Sequence, residues 1–165
     1  MGFVDAMLDQ LRVAHRIISE GAEVIPAWRI GTPRTGWLIL SRFDHDQPAE
    51  QDRILHYIRR FMVSTLADSF ILTGQTGPAS TALIRKSEES IICVIASGSD
   101  RFVLRQLIHR TPSLSFGGLE CIDRKQIDPV YWSLLPTRRE TIDPEEVEEL
   151  NAIFGKDGEL SARWL

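Results

Sequence analysis

Residues 91–95 constrain the fold most, because five apolar side chains follow one another without interruption. Their order is Ile-Ile-Cys-Val-Ile, with glutamates before the run and a Gly-Ser-Asp turn after it. A short run that is rich in β-branched residues is typical of a strand buried on both faces, whereas a buried helix is usually longer. The sequence therefore predicts a sheet that other layers cover on both sides.

The chain of 165 residues is predicted to form one α/β (α+β) domain over residues 1–155, followed by a C-terminal tail over residues 156–165. Helices cover this sheet. Their apolar spacing and end signals predict them at residues 4–20, 48–66 and 144–154. The last helix has the clearest start, with Asp143 as N-cap, Pro144 in the first turn and Glu146 placed for a capping box.

The predicted sheet is mixed and has five or six strands. A strand at 37–43, the long second helix and a strand at 69–73 form a β-α-β crossover, so we expect these two strands to be parallel. A strand at 26–30 pairs with the first of them as a hairpin.

Residues 100–110 fit either a helix or a strand. Their apolar positions make a fair helical wheel, but turn residues precede and follow them. We favour a strand, which produces a late antiparallel meander with the strands around residues 91–97 and 114–122. Gly117 and Gly118 are expected at a bulge or bend in the last strand.

Composition excludes some classes of function. The net charge of −4 argues against broad nucleic-acid binding. A basic stripe on the second helix is read as a solvated face. It consists of Arg53, His56, Arg59 and Arg60.

Cys93 and Cys121 lie among apolar residues, so we expect two reduced thiols in a soluble, cytoplasmic protein. No apolar run reaches transmembrane length, so no membrane contact is expected. Histidine and cysteine spacing supports no metal site, and no cofactor is predicted.

The order of elements resembles a group of small bacterial and phage α/β proteins of unknown function. The resemblance runs from Ile25-Pro26-Ala27-Trp28, through the crossover helix, to Leu134-Leu135-Pro136. Where these proteins tend to carry an acidic residue and a tryptophan after the third strand, this chain has Gly74-Gln75-Thr76. The resemblance implies a fold and no chemistry.

Two loops are candidates for a site at the edge where parallel strands end. Asp44, His45 and Asp46 would supply an imidazole between two carboxylates, which suits acid/base catalysis. The second loop would supply backbone amides and hydroxyls for an anion. It comprises Thr73, Gly74, Gln75, Thr76 and Gly77. Helix capping and turn formation explain the same residue types without a ligand.

The tail ends on Trp164 and Leu165, which are too apolar to stay in water, so they fold back or contact a neighbour. Two classes of function follow. The first is a non-enzymatic protein-interaction module that binds a protein partner or a second copy of itself. The second is a small hydrolase, or a domain that binds an anion or nucleotide ligand, built on the two loops. The sequence does not decide whether the chain is an enzyme.

Overall fold

The computed structural model describes residues 2–33, 36–41, 48–77, 88–137, 140–155 and 161–164, with only the backbone for residues 41, 48–50 and 161–164. The helices are α1 (Phe3–Ser19), α2 (Pro48–Thr65) and α3 (Pro144–Phe154). Two short 3-10 turns, Arg124–Gln126 and Pro129–Ser133, precede α3. The strands are β1 (Ala27–Thr32), β2 (Gly36–Ser41), β3 (Ser69–Thr76), β4 (Ser90–Ser97), β5 (Asp100–His109), β6 (Ser115–Ile122) and β7 (Ser161–Trp164).

All these strands belong to one sheet with the order β6-β5-β4-β3-β1-β2-β7. Six strands form its body, and the short β7 adds to the edge of β2. The single α+β domain predicted from the sequence is confirmed. The prediction of a mixed sheet is wrong, since every neighbouring pair is antiparallel.

The crossover differs from the prediction in one respect. β1 lies between β2 and β3 and is antiparallel to both, so β2 and β3 run in the same direction without touching. The reason is that a hairpin strand has two edges. β1 uses one edge for its local partner β2 and leaves the other for β3, which α2 delivers from further along the chain.

β4 is buried on both faces, as the apolar run predicts. Ile92, Val94 and Ala96 pack into one core cluster, and the alternate residues Ile91 and Cys93 pack into another. Because successive side chains of a strand point to opposite faces, the two clusters lie on opposite sides of the sheet.

The two faces are covered unequally. The cluster on one face includes residues of α2, α3 and the second 3-10 turn, whereas α1 is the only helix of the described chain in the cluster on the other face. Seven strands span roughly 29 Å, while a helix with its side chains is about 10 Å wide. On the α1 face, Phe102 and Leu104 of β5 are consequently only half-buried.

The meander of β4, β5 and β6 is confirmed, and residues 100–109 are a strand. The β5–β6 register shifts between Gln106 and Ile108, where three steps of β6 match two steps of β5. The extra residue falls at Gly117 and Gly118, where the bulge is predicted. β6 is mostly exposed, and its Cys121 is an exposed free thiol rather than part of the core.

Polar contacts fix α1 on the sheet. Asp9 forms an ion pair with Arg29 of β1, whose side chain is buried. The neighbouring Gln10 donates from Nε2 to the carbonyl oxygen of Ala27 at 2.9 Å and to that of Ile71 at 3.3 Å. A buried guanidinium needs a charged or hydrogen-bonded partner. These contacts therefore hold α1 across β1 and β3.

Ion pairs also join α2 to the segment that holds α3. Arg59 pairs with Glu140, and Arg60 pairs with Glu146. These two arginines are half-exposed and paired, whereas Arg53 and His56 of the same stripe are exposed to solvent, as predicted. Asp143 is the N-cap, as predicted, but its side chain makes no capping hydrogen bond. The Glu146 carboxylate is bound by Arg60, whose guanidinium holds the pKa of Glu146 below its usual range.

α1 and α2 end in the same motif but with different residues. In α1, the amides of Gly21 and Ala22 donate to the carbonyls of Ile18 and Ile17. In α2, those of Leu66 and Ala67 donate to Val63 and Met62 in the same pattern. This Schellman motif requires a left-handed residue after the helix, and φ is +81° at Gly21 and +54° at Leu66. A leucine is strained in that conformation, whereas glycine is not.

Substituting Leu66→Gly should therefore stabilise the fold. The side chain is 52% exposed, so little burial is lost. Removal of the Cβ clash is expected to raise the free energy of unfolding by about 1 kcal/mol. Urea denaturation measures the change, and Gly21→Ala serves as the mirror control because it should lower the free energy by a similar amount. A decrease in the stability of Leu66→Gly would contradict the strain argument.

Candidate functional site

The two strands that would carry the predicted site reach the same end of the sheet. Ala27, the first residue of β1, pairs with Thr73 of β3, and Trp28 pairs with Leu40 of β2. β2 therefore ends at the end of the sheet where β3 passes Thr73, with β1 between them. The catalytic candidates Asp44, His45 and Asp46 follow β2 in the sequence but lie outside the described residues.

The ligand-binding candidates are mostly strand rather than loop. β3 continues through Thr73, Gly74, Gln75 and Thr76, and pairs with β4 up to Ser90. Gly77 follows the strand. The loop prediction is thus wrong for residues 74–76, whereas Thr73 lies in the strand predicted at residues 69–73. Glycine and polar residues usually mark a turn, but β4 offers a complete edge to which this backbone can bond.

Gln75 links three segments of the chain. Its Oε1 accepts a hydrogen bond from the backbone N–H of Val24 at 2.9 Å, and its Nε2 donates to Oε1 of Glu89 at 3.1 Å. Val24 belongs to the connection between α1 and β1, and Glu89 directly precedes β4. In this structure the amide therefore ties the end of α1 to the centre of the sheet.

Glu89 is held by a second partner. Arg110 donates from Nε to both carboxylate oxygens, each at 2.9 Å, and Nη2 makes a further contact. The arginine holds the pKa of Glu89 below its usual range, and Gln75 contributes in the same direction. Arg110, Glu89 and Gln75 form a chain of contacts from the end of β5 to β3.

The hydroxyls of the same strand face partners on β4. Thr76 Oγ1 and Ser90 Oγ lie 2.6 Å apart, and Thr73 Oγ1 lies 3.6 Å from Sγ of Cys93. Burial raises the pKa of the Cys93 thiol to about 11. At neutral pH the thiol stays protonated, which makes it a poor nucleophile. These groups fasten β3 to β4.

The described residues of the predicted site therefore hold neighbouring segments of the chain together. The side chains of Thr73, Gln75 and Thr76 contact other groups of the chain, and Gly74 is buried. Anion or nucleotide binding by residues 73–77, and acid/base catalysis by residues 44–46, stay predictions.

The apolar end of the chain folds back in part. β7 pairs with β2, and the backbone of Trp164 lies opposite Leu38. Of the two alternatives for the tail, folding back is thus seen for residues 161–164. Leu165 lies outside the described residues, and contact of either residue with a partner stays a prediction.

The described residues contain no group of three or more His, Cys, Asp or Glu side chains placed to hold a metal ion. None of their helices has the length and hydrophobicity that a bilayer crossing requires.

The apolar stripe of α1 is predicted to dock on the sheet, with a partner-binding helix as the alternative, and the structure divides these residues between the two sides of the helix. The side of the helix turned away from the sheet, here called the outer face, carries apolar residues between charges. It consists of Val4, Asp5, Leu8, Asp9, Arg12, Val13, Arg16 and Ile17, all exposed or half-exposed. Two of them also contact the sheet side: Ile17 packs against the core cluster, and Asp9 binds Arg29. Of the eight large apolar side chains that are exposed in the described chain, three lie here: Val4, Leu8 and Val13. The helical spacing of Val4, Leu8, Leu11 and Ile18 predicts that all four dock on the sheet, but Val4 and Leu8 are exposed in the structure.

The chain matches no protein-family model, and neither curated proteins nor solved structures give a significant match. The resemblance to small bacterial and phage proteins therefore stays a prediction.

Replacing Arg110 should shift the titration of Glu89. In Arg110→Gln the pKa of Glu89 is expected to rise toward its ordinary value, because the main cause of its depression is removed. A depressed pKa stabilises the fold above the unfolded-state pKa, and this stabilisation is lost as pH falls through the folded-state pKa. The variant should therefore lose part of the acid dependence of its stability.

Carboxyl-detected NMR titration of Glu89 measures this shift. Arg105→Gln is the matched control, since Arg105 binds Glu120 instead. A pKa of Glu89 that is equal in the wild type and in Arg110→Gln would show that the contact between Arg110 and Glu89 does not form.

Proposed function

We propose that this chain is a non-enzymatic protein-interaction module that self-associates through the outer face of α1. The observation that carries the proposal is the exposure of Val4, Leu8 and Val13, at 60%, 37% and 43%, on one helix. Single exposed apolar residues are common on protein surfaces. Here Val4 and Leu8 lie on one flank of the outer face, and Val13 lies on the other, about half a turn around the helix from Val4. A partner that covers the charged centre of this face would shield Leu8 and Val13 from water on both flanks.

The helix itself is firmly placed, which a docking surface requires. Ala6, Leu11, Ala14 and Ile18 are buried against the sheet, and Arg29 of β1 binds Asp9. A partner on the outer face thus meets a surface that is ordered before binding, so little conformational entropy is lost on association.

A second copy of the chain is the partner that best fits the charges. The acidic outer-face residues, Asp5 and Asp9, lie in the N-terminal half of α1. The basic residues, Arg12 and Arg16, lie in the C-terminal half. A helix with this asymmetry is complementary to its own copy in the opposite orientation.

Sedimentation equilibrium tests the proposal. A single pair of helices about 26 Å long makes a small interface, so the dimer should be weak. The average mass of the wild type should rise from the monomer mass of 18.7 kDa toward twice that value as the protein concentration increases over roughly 10–500 µM. Leu8→Ser with Val13→Ser should shift the equilibrium to monomer, because the apolar contacts are lost.

The matched control is Leu66→Ser with Val130→Ser, two residues that are also exposed but lie elsewhere. It should associate like the wild type. A wild type that stays at the monomer mass over this whole range would overturn the proposed function. So would a control pair that weakens association as much as the α1 pair.

A further inference from the structure

We infer that two copies pair through α1 in an antiparallel arrangement around a two-fold axis that passes between Gln10 and Leu11. The inference rests on the proposed function and names its geometry. It predicts which residues face each other, and each can be changed separately.

The outer face has an internal symmetry about that midpoint. Each acidic residue is as far from it in the sequence as a basic residue on the other side, and the apolar residues are matched in the same way. The symmetric pairs are Asp5 with Arg16, Asp9 with Arg12, Leu8 with Val13, and Val4 with Ile17.

Only the charged pairs share one side of the helix, whereas the apolar pairs lie on its two flanks, with Leu8 and Val13 about 140° apart. Each residue turns the helix by about 100°. The residues midway around this arc are Asp5, Arg16, Arg12 and Asp9, and the sheet lies on the opposite side, where Ala14 and Ile18 are buried. The axis of symmetry therefore points away from the sheet, where a second copy can approach.

The antiparallel orientation brings unlike charges together. It sets Asp5 opposite the partner's Arg16, and the same contact recurs on the other side of the axis. A parallel pair would instead place Asp5 against the partner's Asp5. Antiparallel helix dipoles favour the first arrangement as well.

The charged residues of the outer face differ in whether another residue of the same chain already binds them. Asp5, Arg12 and Arg16 are exposed and make no ion pair with another described residue, whereas Asp9 is held by Arg29. Asp5 and Arg16 are consequently the pair to test, because a change of Asp9 would also disturb the ion pair that holds α1 on the sheet.

The experiment reverses these two charges separately and together. Asp5→Arg and Arg16→Asp alone each place like charges across the axis twice, so each should raise the dimer Kd on the order of tenfold. The double variant Asp5→Arg/Arg16→Asp restores unlike pairs and should return the Kd close to that of the wild type. An equimolar mixture of the two single variants should form a heterodimer for the same reason.

A change in the stability of α1 cannot explain weakened single variants together with a restored double variant. Each single change opposes the helix dipole, and the double variant carries both penalties, so a restored Kd arises only from charges that face each other. Circular dichroism checks that each variant is folded. The difference between single and double variants should shrink in high salt.

Three outcomes decide the matter. Weakened single variants with restored double variant and mixture support the antiparallel pair. A wild type that dimerises while the single variants bind equally well overturns this geometry and leaves the proposed function intact, as does a double variant weaker than either single variant. A wild type that stays monomeric overturns both.

Discussion

The structure depends on the need to cover both faces of a wide sheet. β4 is buried on both sides, and neither of its apolar faces could remain in water. α2 and α3 cover one face together, and among the described helices α1 covers the centre of the other. The position of α1 therefore determines what the chain presents to other molecules on that side, and its ion pair to Arg29 and the contacts of Gln10 fix that position.

Polar residues that look functional in the sequence stabilise this arrangement. Gln75 holds the connection after α1 and also contacts Glu89, which Arg110 binds from the end of β5. Buried or half-buried polar groups need partners, and an amide that bonds in two directions can satisfy several segments at once. The same residue types would suit a ligand, so only their contacts in the fold distinguish the two roles.

The sequence was sufficient for elements whose signals are local. The run at residues 91–95, the bulge at Gly117 and the N-cap Asp143 each follow from neighbouring residues. It was insufficient where long-range pairing decides. The alternation of side chains along a strand shows which residues face the core but does not specify which strands are neighbours. The position of β1 between β2 and β3 was therefore not predicted. Likewise, the extension of β3 through Gln75 depends on Val24 and Glu89, which are distant in the sequence.

The proposed role follows from the unequal covering of the sheet: a helix fixed by its inner side offers a symmetric outer side to a second copy. The most direct test is an NMR dilution series that follows the backbone amide signals of the whole chain. The account predicts concentration-dependent shifts confined to outer-face residues of α1, centred on Leu8 to Val13, with the signals of α3 unchanged. Shifts that instead cluster on α3 or around Trp164, with α1 constant, would contradict it.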